Sequence, residues 1–240
     1  MKIGEYDLDR DVLVIAEIGN NHEGDPATAL RMVERAAEAG VHAVKIQIID
    51  PERLVNTSQQ SRIVQLNRFR LPWPVIEAMS ELAHSKGMLF MASAFDVDSL
   101  ERVCPLVDAI KIASGDLDFG LMLRRAARTG KPLILSTGMS SLSEIGQSVG
   151  IISTGLPGNL KLSDMLVLLH CVSLYPVPFA KVNLRVVAAL HRQFGLTVGY
   201  SDHTLGMEAA VLSMMLGARV IEKHFTLDKS STSFRDHALS

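Results

Sequence analysis

His203 and His224 have the spacing that points most directly to chemistry. Ser-Asp-His203-Thr follows the apolar run Leu196–Tyr200, and Glu-Lys-His224-Phe follows Gly217–Ile221. A neutral imidazole nitrogen is the commonest metal donor at working pH, so histidines that end successive strands are candidate ligands for one cation. A lone histidine in an α/β core is more often a hydrogen-bonded packing residue; the pairing is what favours ligation. Groups suited to an anion accompany them. Lys45 and Gln47 share one face of Val44-Lys45-Ile46-Gln47, and Lys111 lies within Ile110-Lys111-Ile112. The same alternation turns Glu17 away from Ala16 and Ile18, into the interior. A lysine directed inward needs a counter-charge, so Lys45 and Lys111 beside Glu17 leave room for an anionic ligand. Hydroxyls recur at further strand ends, at Ser93, Ser114, Ser136 and Ser173. Lysines and hydroxyls aimed at one point suit a phosphate and a carboxylate on a small molecule. Glu17 is the candidate for acid/base work or for a sugar hydroxyl; a buried carboxylate paired only for structure is the plainer alternative. Cys171 reads as packing, because no dedicated base accompanies it. Asp202 reads as a residue that orients its neighbours, and His22, His170 and His237 are reserve donors.

These residues need elements that bring strand ends together. Eight short apolar runs alternate with longer helical patterns: Val12–Ile18, Ala43–Ile48, Met88–Ala94, Ala109–Ala113, Pro132–Ser136, Met165–Val172, Leu196–Tyr200 and Arg219–His224. Their length and β-branched content suit buried parallel strands. Asp25-Pro26 is an N-cap with proline at the first helical position, Ser141-x-x-Glu144 is a capping box, and Gly40, Gly87, Gly130, Gly195 and Gly217 follow helical stretches. The alternation predicts an α/β fold, a (β/α)8 TIM barrel over residues 1–240, in preference to an open doubly wound sheet. Residues 50–73 form a long polar second connection, and Ser153–Asp164 reads as a loop. The last run ends a loop's length before Ser240, so the barrel is expected to lack its last helix and to expose an apolar seam.

The bulk composition narrows the function classes. With 48% hydrophobic residues in 240, the chain can bury one large core. A formal net charge of -2 argues against nucleic acid as the main partner. No window approaches a membrane span and residues 1–10 are polar, so no membrane is expected and the reading is cytoplasmic. Cys104 and Cys171, the 2 cysteines, suggest neither a disulfide framework nor a zinc cluster.

The blocks Ala-Glu17-Ile-Gly-Asn-Asn-His-Glu-Gly-Asp, Ala-Val-Lys45-Ile-Gln, Lys111-Ile-Ala-Ser-Gly-Asp, Leu-Ser136-Thr-Gly-Met, Leu-His-Cys171-Val-Ser-Leu-Tyr-Pro, Gly-Tyr-Ser-Asp-His203-Thr-Leu-Gly and Ile-Glu-Lys-His224-Phe-Thr-Leu-Asp run in order along nearly the whole chain. Together they resemble the sialic acid synthase family: N-acetylneuraminate, legionaminate and pseudaminate synthases and spore-coat polysaccharide relatives. The resemblance implies a homodimeric barrel that condenses phosphoenolpyruvate with an N-acylated mannosamine-type amino sugar, using Mn2+ or Mg2+. It implies His203 and His224 as metal ligands, Lys45, Ser93, Lys111, Ser114, Ser136, Ser173 and Ser201 as holders of phosphoenolpyruvate, and Glu17, Tyr175 and Asp236 as sugar contacts. Glu17, Lys45 and Lys111 are the candidate catalytic residues, with Glu17 the choice for managing protons. Two departures stand out. The family's usual Gly-Pro-Asp-His is Phe234-Arg235-Asp236-His237 here, and its C-terminal antifreeze-like domain is not in this sequence. Two other readings stay open: a Schiff-base aldolase working through Lys111, and a divergent barrel that has lost turnover.

Overall fold

The computed structural model describes residues 1–240. Strands β3 (Leu13–Gly19), β4 (Ala43–Ile48), β5 (Leu89–Ala94), β6 (Ala109–Ile112), β7 (Leu133–Ser136), β8 (Leu166–Cys171), β9 (Thr197–Asp202) and β10 (Val220–His224) pair in that order. β10 closes back on β3, and every neighbouring pair is parallel. This is the (β/α)8 TIM barrel that the alternating runs predicted, with most strand ends within a residue or two of the expected ones.

The helices between strands start and stop for local reasons. Asp25 caps α1 (Pro26–Glu38), its carboxylate accepting the Thr28 N–H at 2.7 Å. The capping box of Ser141 and Glu144 opens α7 (Leu142–Gly155). Gly195 ends α9 (Arg185–Phe194) in the left-handed region, at φ 64°, where a side chain would be strained. Trp73 to Ser85 forms α4, and α5 (Val97–Val103), α6 (Gly120–Arg128) and α10 (Glu208–Met215) complete the outer layer. No helix is long and apolar enough to cross a membrane.

Four features differ from the sequence expectation. The second connection holds two short helices, α2 (Pro51–Leu54) and α3 (Gln60–Asn67), because Ile63 and Leu66 recur at helical spacing and are buried. The stretch read as a loop from Ser153 is helical to Gly155 and again over α8 (Leu162–Met165); Ile152 anchors the last turns of α7 in the core. At the N-terminus, β1 (Lys2–Ile3) and β2 (Tyr6–Asp7) form an antiparallel hairpin. Its Ile3 and Leu8 join Leu13, Ile15, Met91, Ile134 and Val167 in a cluster that seals the lower end of the barrel. Finally, the β10–β3 seam is not bare. Ala16, Ile18 and Ile221 are buried in the main core beside Met32 and Val33 of α1, and apolar exposure falls on α10 instead, at Val211, Leu212 and Met215.

Candidate active site

The upper ends of the barrel strands surround a cavity of about 710 Å³. Glu17, Lys45, Ser93, Lys111, Ser114, Ser136, Ser173, Tyr175, Ser201, His203, His224 and Asp236 all line it. Every residue to which the sequence analysis gave a catalytic, substrate or metal role therefore reaches one space. The reserve histidines do not. His170 bonds the Val182 carbonyl through Nε2, His22 accepts the Gly24 N–H, and His237 pairs with Glu23.

The floor is a network of two amines and two carboxylates. Glu17, Lys45 and Lys111 are each 3% exposed, so none of them can hold a charge by hydration. Lys45 Nζ lies 2.6 Å from Glu17 Oε2 and 3.6 Å from Glu222 Oε2, and donates to Ser93 Oγ at 3.3 Å. Lys111 Nζ donates to Ser136 Oγ at 2.6 Å and to the Ile112 carbonyl at 3.1 Å, with Glu222 Oε1 4.0 Å away. Ser201 donates to Glu222 Oε1 at 2.8 Å, and Gln47 donates to Glu17 Oε1 at 2.9 Å. Asn20 in turn donates to Gln47, which fixes that amide.

The two carboxylates differ in proton affinity. Burial pushes Glu17 up, and Glu222 adds to that push; the ammonium of Lys45 opposes it without cancelling it. Burial acts on Glu222 in the same sense, but Lys111 and Lys45 outweigh it and hold that carboxyl down at about 2. Glu222 is therefore the standing anion, and Glu17 is the group that takes a proton more readily. Between the amines, burial pulls Lys111 below the usual lysine range. Burial also works against Lys45, but Glu17 and Glu222 prevail and raise it.

Glu222 was missed in the sequence reading, although a signal was there. Residues two apart on a strand share a face, so an inward His224 requires an inward Glu222. The same rule joins Cys171 to Ser173. Both line the cavity, and Cys171 Sγ lies 3.0 Å from Ser114 Oγ.

One wall carries the histidines, with ring centroids 5.7 Å apart. His203 Nδ1 is 3.0 Å from the Val172 carbonyl, which fixes the proton there and leaves Nε2 with a free lone pair. Burial lowers both imidazoles; His203 and Lys45 depress His224 further, to about 3. Both rings are neutral near pH 7, the state a metal ligand requires. His224 Nδ1 is buried without a hydrogen-bond partner, 4.0 Å from Asp236 Oδ2, so this ring has a nitrogen free to meet a cation. The protein alone offers no closely grouped set of three or more His, Cys, Asp or Glu side chains for a metal. Tyr175 stacks on His203 at 4.2 Å between centroids, and the Arg235 guanidinium sits 5.1 Å from the Tyr175 ring. Asp236 Oδ1 lies 3.5 Å from Arg235 Nε; burial raises this carboxyl, and Arg235 and His237 restrain the rise. Asp202 accepts the Thr204 N–H at 2.9 Å and pairs with Lys223 at 3.0 Å, which holds the turn that carries His203. Phe69 and Phe234 meet at 5.0 Å and form part of the rim.

Fold and cavity define a barrel protein with a floor of paired amines and carboxylates and an imidazole wall at the C-terminal ends of its strands. The chain belongs to the NeuB family, whose match extends over residues 32–240. It is 40% identical to an N,N'-diacetyllegionaminic acid synthase of Legionella pneumophila, over 90% of this chain and 64% of that enzyme. An uncharacterized protein of Methanocaldococcus jannaschii is 41% identical over 100% of this chain and 70% of its own length. Among solved structures, the N-acetylneuraminic acid (sialic acid) synthetase of Leptospira borgpetersenii superposes with a TM-score of 0.91 at 32% identity. That match covers 100% of this chain and 82% of the synthetase.

Proposed function

We propose that this barrel condenses phosphoenolpyruvate with an N-acylated mannosamine-type sugar, releasing phosphate and a nonulosonic acid. The observation that carries the reading is the convergence of Lys45, Lys111 and a set of hydroxyls beside two neutral histidines in one cavity. The names of the synthases to which the chain is similar support the reaction class.

Lys45, Lys111 and the hydroxyls of Ser93, Ser114, Ser136, Ser173 and Ser201 bind the phosphate and carboxylate of the enol. Carbon three of the enol attacks the aldehyde of the open-chain sugar, and the aldehyde oxygen takes up a proton. Positive charge develops at carbon two. Glu222, held ionised at the cavity, stabilises that charge. Water adds at carbon two and gives up its proton, and the resulting phosphohemiketal breaks its carbon–oxygen bond to lose phosphate. Glu17 is the proton carrier, since its carboxyl is poised higher than that of Glu222. Tyr175 and Asp236 bind sugar hydroxyls at the mouth; burial keeps the phenol protonated and therefore a donor.

His203 and His224 would hold Mn2+ or Mg2+, with substrate and water supplying the remaining donors. Such an ion, when bound, polarises the sugar carbonyl as a Lewis acid. A homodimer, as the family resemblance implies, goes with this reading and is measured by sedimentation velocity; a cytoplasmic location goes with it too and is measured by cell fractionation. The test of function is phosphate release across a panel of acylated hexosamines with Mn2+, Mg2+ or chelator. Release that needs both sugar and cation is expected. Release that is indifferent to chelator and unchanged in His203→Ala/His224→Ala removes the metal. The lowered Lys111 amine favours one rival, a Schiff-base aldolase. A borohydride-trapped pyruvate adduct on Lys111 would establish it.

A further inference from the structure

Gly138, in the loop after β7, faces three side-chain heteroatoms at once. A Cβ built there would lie 2.7 Å from Ser173 Oγ, 2.9 Å from Cys171 Sγ and 2.9 Å from Ser114 Oγ. Its own N–H donates to Ser114 Oγ at 3.0 Å. Cys171 Sγ contacts the same oxygen at 3.0 Å, in a geometry that lets either atom donate. Ser114, Cys171 and Ser173 all line the cavity whose floor carries Lys45 and Lys111.

A hydroxyl has one proton and two lone pairs. The Gly138 N–H occupies one lone pair of Ser114. If the Ser114 proton goes to sulfur, the group left facing the cavity is a lone pair, which repels an anion. If the thiol donates instead, both lone pairs are taken and the proton has nowhere to point but into the cavity. The thiol thereby makes Ser114 an obligatory donor.

We propose that Cys171 is a positioning residue for the anion subsite: its S–H turns the Ser114 hydroxyl toward the phosphate or carboxylate of the bound enol phosphate. This rests on the functional reading above. It replaces the sequence expectation that Cys171 is inert packing.

The experiment measures phosphoenolpyruvate binding calorimetrically, and KM for each substrate, in the wild type, Cys171→Ala, Cys171→Ser, Ser114→Ala and the double variant. One hydrogen bond to a charged group corresponds to roughly a 10- to 100-fold change in affinity. Cys171→Ala should weaken phosphoenolpyruvate binding by about that factor and raise its KM while leaving the KM for sugar in place. Cys171→Ser, which keeps a donor, should recover most of the loss. In the Ser114→Ala background, Cys171→Ala should add nothing, since the hydroxyl it orients is gone. Equal affinity in Cys171→Ala and wild type overturns the proposal. So does a serine variant as weak as the alanine variant, or a full additive loss in the double variant. A wild-type chain that binds no phosphoenolpyruvate overturns the functional reading, and the positioning role falls with it.

Discussion

The lower and upper halves of the barrel interior stand on the same strands and differ by a step of two residues. Going up the strands, Ile15 gives way to Glu17, Ala43 to Lys45, Met91 to Ser93 and Ala109 to Lys111. Ile134 gives way to Ser136, Leu169 to Cys171 and Val220 to Glu222 in the same manner. Below the step, side chains gain only from exclusion of water and tight contact, and each tolerates its neighbours' replacement by something of similar volume. Above it, Glu17, Lys45, Lys111 and Glu222 hold their charge states because of one another. The contrast predicts where stability and chemistry separate in this fold: the lower layer should lose volume and keep function, while the upper should lose function with a single charge.

Four changes would break or sharpen that contrast. Lys45→Met should have the largest effect, because it strands Glu17 and Glu222 without their nearest cation. Turnover should fall roughly 100- to 1,000-fold, and stability by about 3–5 kcal/mol, read from phosphate release and urea melts. Ile15→Ala should cost about 2–5 kcal/mol in the same melts while phosphoenolpyruvate affinity of the folded protein stays as it was; a parallel loss of affinity would show that the two layers are not separable.

The third change is in pH. His22 is buried at the edge of the upper layer, and burial lowers it to about 4 from 6.5. The unfolded chain therefore binds the proton first as pH falls, so this residue's contribution is intact above pH 6.5 and is lost on descent toward pH 4. The loss amounts to about 3 kcal/mol. His22→Asn should flatten the pH dependence of the urea midpoint across that window, and an unchanged slope would remove His22 as its source. Arg235→Ala should be the mildest: an exposed cation over Tyr175 is worth about 0.5–1 kcal/mol, so KM for sugar should rise a few-fold with the floor untouched.

The two layers were not equally legible in the sequence. The strands showed themselves as apolar runs because inward and outward faces are both buried in a closed parallel barrel. The amines and hydroxyls stood out because polar residues interrupt those runs only at the functional end. Glu222 escaped because Glu-Lys-His at a strand end reads as a solvated charge run until the inward direction of His224 is known. Cys171 escaped because its worth lies in a contact with Ser114 that the chain sequence keeps far away. The hairpin at the N-terminus escaped for a different reason: β1 and β2 are two residues each, too short for any periodicity to register. Helix α3 was hidden by the exposed polar residues around Ile63 and Leu66, and α2, with 4 residues, is too short for a periodicity to register.

That hairpin has a kinetic consequence. With Ile3 and Leu8 closing one end, the chamber is a blind cup with a single doorway. The ammonium groups lie at its bottom, and Tyr175, Arg235 and Asp236 stand near its lip. On the proposed function this geometry predicts ordered binding, with the enol phosphate entering before the sugar, and product-inhibition kinetics would check it; random-order binding would overturn it.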